Sequence, residues 1–567
     1  MFNDIKFYEI LLSQNLLTTN ELEILHLTNN KEPYLVLLYL KKEQKLPSDL
    51  LGKLWADSIN KSYVNLDKSI FQNEIVQMIP EYTAKKYSII PLYKGKSITV
   101  AMSDPTNSLI LTEIEKIIGE NVFSVFAFPD EIEEAINLQY SSIDKVIELS
   151  TNILSNNLIK DTDIVSKERL ELIAGDQLVV KLIDELILYA VKERATDIHI
   201  EPGENNIRIR YRIDGYLQDK IILDKSLLAP LVSRIKVIAN TDIVEKRRPQ
   251  DGRITYKYKN TEFDIRFSVI PILEGERIVL RLLGKTFGRN VPNLSDLYFS
   301  KYNFQLLKKI IETPNGIFLI TGPTGSGKTT TLFSMLKNLN TEILNIITIE
   351  DPVEYKLKGL NQLQVNNEIG LNFSTALRSV LRQDPDIILV GEIRDTETAQ
   401  IASQAALTGH LILSTLHTNN AIQAINRLVE IGVEPYFVAP AIIAVMAQRL
   451  VRRICESCKK PYTLSKEEVN KYFYWDNKAE AIFYRGDGCN KCNNTGYYGR
   501  IPIHEIFLID EDIKELIMKQ ASCQEIMKSI YVKGYKTMWY DGLKKVLRGL
   551  TTIEELKKEV LSEEISQ

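Results

Sequence analysis

Residues 322–330 read Gly322, Pro323, Thr324, Gly325, Ser326, Gly327, Lys328, Thr329 and Thr330. They satisfy G-x-x-x-x-G-K-[ST] at every position, and the chemistry of that pattern follows from its residue types. The glycines let successive backbone N–H groups turn inward onto phosphate oxygens, and a following helix adds its positive N-terminal dipole. Lys328 would bring a cation to the β- and γ-phosphates, and Thr329 would offer its hydroxyl to Mg²⁺. These nine residues are candidate contacts for ATP with its magnesium.

Three apolar runs downstream each end in polar residues. Ile346-Ile347-Thr348-Ile349 leads into Glu350-Asp351, Ile387-Ile388-Leu389-Val390 into Gly391-Glu392-Ile393-Arg394, and Leu411–Thr415 is bracketed by His410 and His417. Strand ends of this kind present a site at the carboxyl edge of a parallel sheet. A carboxylate there could polarise an attacking water, and Glu392 is the first candidate, with Glu350 second. Gly391 stands where many P-loop proteins carry a magnesium-linked aspartate, so metal support would fall partly on Glu350 or Asp351 through water. The bland alternative is that these acids only cap the next helices. One histidine near the nucleotide and one at a subunit interface is the functional reading of His410 and His417; hydrogen-bonded structural histidines weigh equally for either one alone.

Cys455 and Cys458 form one CxxC hook, and Cys489 and Cys492 another. Four thiolates so spaced suit a closed, structural zinc site. A redox dithiol would want a thioredoxin-like βαβ context, which is missing. Cys523 stands alone.

The elements that must hold these residues can be read from periodicity. Ile317–Ile320 is a buried strand ahead of the loop, and a helical pattern follows from Thr330. Residues 1 to about 60 read as short helices, and 61–140 as a small α/β domain with strands at 89–93 and 97–102. The polar, aperiodic stretch 141–175 reads as a linker. Gln177–Arg194 is an amphipathic helix, followed by alternating strands at Ile207–Ile213, Phe263–Ile270 and Ile278–Leu283. A second linker is expected near 284–297.

At 567 residues with 44% hydrophobic and 25% charged content, several ordinary globular domains are expected. The net charge of −4 argues against a dedicated nucleic-acid binder. No apolar run is long enough to span a bilayer and no secretory leader is legible, so a cytoplasmic setting is expected.

The P-loop, ITIEDPVE, IILVGEIRD and TGHLILSTLHTNNA occur in an order that resembles the secretion-ATPase superfamily, the motors of type II secretion and type IV pilus assembly. The resemblance runs from about residue 60 to the C-terminus. It implies an α/β multidomain fold: a RecA-like ATPase core at 298–567 with a zinc module at about 453–500, an α/β middle domain at 176–285, and an α/β N-terminal domain at 1–140. It implies hydrolytic roles for Glu350 and Glu392 and maps the histidine box onto His410 and His417. The middle-domain stretches Ala195–Pro202, Arg248–Arg253 and Asp264–Arg266 resemble the same family. There they imply that Arg253 and Arg266, and more weakly Arg210, reach nucleotide phosphates.

The implied particle is a homohexamer on the cytoplasmic side of the inner membrane. Its partners would be a membrane platform protein and the cytoplasmic domains of the assembly. The cysteine module and N-terminal extension favour the assembly branch over retraction. Some relatives bind cyclic di-GMP through arginine–leucine–glycine repeats; residues 1–60 lack them, so partner docking is expected instead. The rival reading is a nucleic-acid translocase or a DNA-uptake ATPase with the zinc module as its grip.

Overall fold

The computed structural model describes residues 3–14, 16–21, 33–43, 46–155, 167–258, 261–282, 291–473 and 482–560. The chain divides into two compact units, 1–288 and 289–567.

In the first unit a small sheet is ordered β1 (Ile89–Lys94), β2 (Ile98–Met102), β3 (Val122–Phe126). The first pair is antiparallel and the second parallel, with helices Ser108–Ile118 and Pro129–Gln139 alongside. The short helices expected ahead of it include Asn3–Ser13, Pro33–Lys42 and Ser48–Ser58. Their apolar stripes, among them Phe7, Leu11, Leu37 and Leu54, close a core with Phe126 and Phe128.

The expected linker at 141–175 carries helices Ile143–Ser155 and Lys167–Ala174. Val146 and Ile153 on the first are buried in the core of the next sheet, which a tether would not be. The polar centre of that stretch, from Asn156 to Asp163, lies outside the described residues, as does the first half of the second expected linker, 284–290.

That next sheet has six strands in the order β6 (Tyr216–Asp224), β5 (Asn206–Ile213), β4 (Asp197–Pro202), β9 (Gly275–Leu282), β8 (Thr261–Ile272), β7 (Gln250–Tyr258). All neighbours are antiparallel. Alternation sets its two faces. On β5, Ile207, Ile209, Tyr211 and Ile213 are buried against helices Gln177–Lys192 and Leu228–Ile238, and Arg208, Arg210 and Arg212 point the other way.

The second unit is built on a seven-stranded sheet. Its order is β12 (Asn361–Gln364), β11 (Ile346–Glu350), β13 (Ile387–Val390), β14 (Leu411–Leu416), β10 (Gly316–Thr321), β15 (Ile442–Ile454), β18 (Tyr497–Leu508). All pairs are parallel except β15 with β18. Strands β10, β11, β13 and β14 are buried along their whole length, which is why they read as unbroken apolar runs. Cores lie on both faces of the sheet, one around Leu377, Ile401 and Ile425, the other around Phe318, Phe333 and Leu336. Phe318 is fully buried, and truncating it to alanine would cost about 3–5 kcal/mol. Strands β16 (Lys459–Thr463) and β17 (Ile482–Gly486) form a separate hairpin in this unit.

Candidate active site

The P-loop leaves the carboxyl end of β10 and runs into helix Lys328–Leu339, whose N-cap is Gly327. Parallel pairing aligns the ends of β10, β14, β13 and β11, so the residues following each strand gather at one edge. Lys328 Nζ donates to the carbonyls of Gly322 (2.8 Å) and Pro323 (3.1 Å), two acceptors of its own loop. Burial brings its pKa down to about 8, while Glu392 and Glu354 pull the other way. Ser326 Oγ, in the same loop, is buried with no hydrogen-bond partner among the described residues. An unsatisfied hydroxyl and a buried ammonium held by loop carbonyls are the groups a polyphosphate would satisfy.

Glu392 follows β13. One carboxylate oxygen lies 2.6 Å from Arg394 Nη2, and the other 3.4 Å from His417 Nε2. His417 follows β14, and its pKa is lowered, first by burial and then by the charge of Lys328. The loop carrying it is tied to the P-loop strand: the Thr418 N–H donates to Thr321 Oγ1 at 2.9 Å, and the two hydroxyls lie 2.7 Å apart. Thr415 Oγ1 donates to the Gly391 carbonyl at 2.8 Å, which joins the ends of β14 and β13. Glu505, buried on β18, accepts from the N–H groups of Ala421 and Met538, so its carboxyl group anchors the helix that follows the histidine loop.

Glu350 ends β11 and is buried. Its Oε1 accepts from Thr348 Oγ1 (2.6 Å) and Gln362 Nε2 (3.1 Å), and burial raises its pKa. Its carboxyl group is thus engaged by Thr348 and Gln362 at the end of β11.

His410 does not belong to this edge. It precedes β14, Nδ1 lies 2.9 Å from the Ala405 carbonyl, and its own carbonyl receives the N–H of Gly316 at the start of β10. Six residues of strand, about 20 Å at ~3.3 Å per residue, separate it from His417. His410 thus stands at the opposite end of β14 from the P-loop edge, bonded to the Ala405 carbonyl.

In the six-stranded sheet of the first unit, one register row runs Arg253–Arg266–Arg281–Asp197–Arg212 across β7, β8, β9, β4 and β5. Asp197 takes Arg281 at 2.9 Å and Arg212 at 3.5 Å. Glu201 takes Arg208, Arg210 and Arg277; against the opposing pull of burial, hydrogen bonds from Arg210 and Arg277 hold its pKa down at about 2. Arg210 is therefore committed to Glu201. Arg253 and Arg266 form no ion pair among the described residues.

The four cysteine sulfurs lie within 4.8 Å of one another. Cys455–Cys489 and Cys458–Cys492 are 3.8 Å apart and Cys489–Cys492 3.7 Å. A tetrahedron with Zn–S bonds of about 2.3 Å has sulfur–sulfur edges of about 3.8 Å, so these thiols fit a metal of that size. Cys455 directly follows β15.

Sequence reading missed Arg394, the Thr321–Thr418 tie and the partners of the arginine row. Arg394 carried a signal in its spacing from Glu392; the others depend on contacts between distant segments.

A P-loop at the carboxyl edge of a mixed, mostly parallel sheet, with Lys328, Glu392 and His417 converging beside it, defines an ATP-hydrolysing P-loop core. The chain belongs to the Type II/IV secretion system protein family, which matches residues 173–558; an MshEN domain matches residues 62–145. It is 39% identical over 559 residues, 97% of both chains, to the type IV pilus assembly ATPase PilB of Myxococcus xanthus. To PilB of Thermus thermophilus it is 40% identical over 91% of its own length, but it spans only 58% of that relative. To the type II secretion system ATPase E of Vibrio cholerae it is 45% identical over 71% of this chain and 78% of the other. Among solved structures, the Legionella pneumophila ATPase DotB shares the fold: TM-score 0.50, 22% identity, 67% of this chain and 95% of that one. No helix among the described residues is long and apolar enough to cross a membrane.

Proposed function

We propose that this chain is the ATP-driven motor that assembles a type IV pilus or the related type II secretion pseudopilus. The observation that carries the proposal is the cluster Lys328–Glu392–His417 at the P-loop edge, together with family membership. The pilus client is the better supported, because likeness to a pilus assembly ATPase extends over 97% of both chains.

In the proposed reaction ATP lies in the cradle of residues 322–330 with its magnesium on Thr329. The metal, when bound, neutralises charge on the β- and γ-oxygens. Lys328 exchanges its loop carbonyls for phosphate oxygens. Glu392, oriented by Arg394 and His417, accepts the hydrogen bond of the attacking water and then its proton. Glu350 supports the site from β11. Arg253 and Arg266 supply further positive charge to the phosphates, a task suited to a permanently charged fork. Cys455, Cys458, Cys489 and Cys492 hold a structural zinc.

The working particle is a homohexamer at the cytoplasmic face of the inner membrane, docked on a platform protein, with residues 1–140 as its docking domain. The test is deletion of the gene followed by complementation with wild type or Glu392→Gln. Pili should return with the wild type and not with the variant. Restored secretion without pili would shift the client to the pseudopilus. Full pilus assembly by the variant would end the proposal, and tight cyclic di-GMP binding in calorimetry would replace the docking role of the N-terminal domain.

A further inference from the structure

A fully buried polar side chain beneath the P-loop comes from β15, a strand outside every nucleotide motif. The register of β15 with β10 ends at Ala447 opposite Thr321, so Gln448 lies where β10 gives way to the loop. Gln448 is 1% exposed. Its Nε2 donates to the Ser326 carbonyl at 2.8 Å, and its Oε1 accepts from Thr331 Oγ1 at 2.8 Å. The Ser326 carbonyl can only accept, so the amide's orientation is set by chemistry.

The loop needs this contact for a physical reason. Turning N–H groups inward onto phosphate turns carbonyls outward, and a buried outward carbonyl needs a donor. Gln448 supplies one at Ser326, midway along the cradle. Its second bond is to Thr331, in the first turn of the helix that begins at Lys328. One side chain thus ties loop to helix on either side of Lys328 and Thr329. The packing is close: a Cβ on Gly327 would lie 2.8 Å from Gln448 Nε2, and one on Gly322 would run into the Gln448 carbonyl oxygen.

We propose that Gln448 is a positioning residue for nucleotide binding, which holds the P-loop cradle preformed through Ser326 and Thr331. The proposal rests on the ATPase reading of this site. Because it acts on the shape of the cradle, it governs affinity for ATP and ADP alike and leaves the chemical step largely alone.

The experiment compares full-length wild type, Gln448→Met (similar length, no hydrogen bonds) and Thr331→Val, well below their melting temperatures. Equilibrium binding of a fluorescent ATP analogue and of ADP is measured, then kcat at saturating ATP. Loss of a buried hydrogen-bonding partner should weaken both nucleotides about tenfold in Gln448→Met and about threefold in Thr331→Val, with kcat within about threefold of wild type. A lowered melting temperature with unchanged nucleotide affinity would mean a purely structural glutamine and would overturn the proposal. So would a fall in kcat with affinity intact. Should Gln448→Met show no melting transition, wild-type affinity in Thr331→Val is the overturning result. Failure of wild type itself to bind ATP would instead remove the ATPase reading.

Discussion

Arg253 and Arg266 stand directly opposite each other in the ladder between β7 and β8, two like charges in one cross-strand pair. Such a pair destabilises a hairpin by a few tenths to 1 kcal/mol. Farther along the same row Asp197 compensates Arg281 and Arg212, but no carboxylate among the described residues does so for Arg253 or Arg266. An unneutralised pair is the arrangement expected of a surface that meets an anion. Replacing either arginine with alanine should therefore lower ATP turnover tenfold or more, while the melting temperature stays level or rises slightly. Steady-state turnover and thermal melts on the same samples decide it; a variant that loses stability and keeps its turnover contradicts the assignment.

Glu392 is placed to act on water because both of its oxygens are held, one by Arg394 and one near His417. Glu392→Gln preserves shape and removes basicity. Hydrolysis should fall by a factor of about 10² or more, with ATP affinity within a few-fold of wild type. Phosphate release and equilibrium nucleotide binding measure the two halves separately, and turnover near the wild-type rate would exclude Glu392 as the base.

The lowered pKa of Lys328, about 8 against 10.5, makes a pH prediction. Between those values the unfolded chain holds a proton that the folded chain has released, so folding stability from this group rises with pH across the window. Bound polyphosphate favours the charged amine and reverses the shift. ATP binding at pH 9 should therefore take up close to one proton and be about tenfold weaker than at pH 7. Calorimetry in buffers of different ionisation heat reads the uptake directly. It should vanish in Lys328→Ala, and pH-independent affinity in the wild type would contradict the assignment.

The sulfur spacing near Cys455 predicts one zinc per chain, lost in Cys458→Ser and in Cys489→Ser. Metal release should lower the melting temperature, because binding free energy at a closed thiolate site is folding free energy. Elemental analysis with thermal melts, before and after treatment with a strong chelator, tests this. A zinc-free wild type with unchanged melting would show that the four thiols serve no metal.

Motifs whose residues are contiguous, or separated by one turn, were legible without coordinates. The P-loop, the acids at Glu350 and Glu392 and the paired CxxC hooks are of this kind, because each carries its chemistry in local spacing. The apolar runs of β10, β11, β13 and β14 were legible too, since strands buried on both faces cannot alternate. The helix Ile143–Ser155 was not, because its short buried stripe gains meaning only from the sheet it packs against.

Sequence alone thus determined the chemical vocabulary of this chain: a phosphate cradle, acids at strand ends, a tetrathiol set and several arginines. Tertiary structure decided which of these meet. Strand direction sent His417 to the P-loop edge and His410 to the opposite one. Antiparallel register aligned Arg253 with Arg266 and gave Arg210 to Glu201. The order of strands placed Gln448 under Ser326, 122 residues away in the chain. The physical reason is the same each time: side-chain chemistry is a property of the residue, whereas register and sheet order are set by burying whole faces at once.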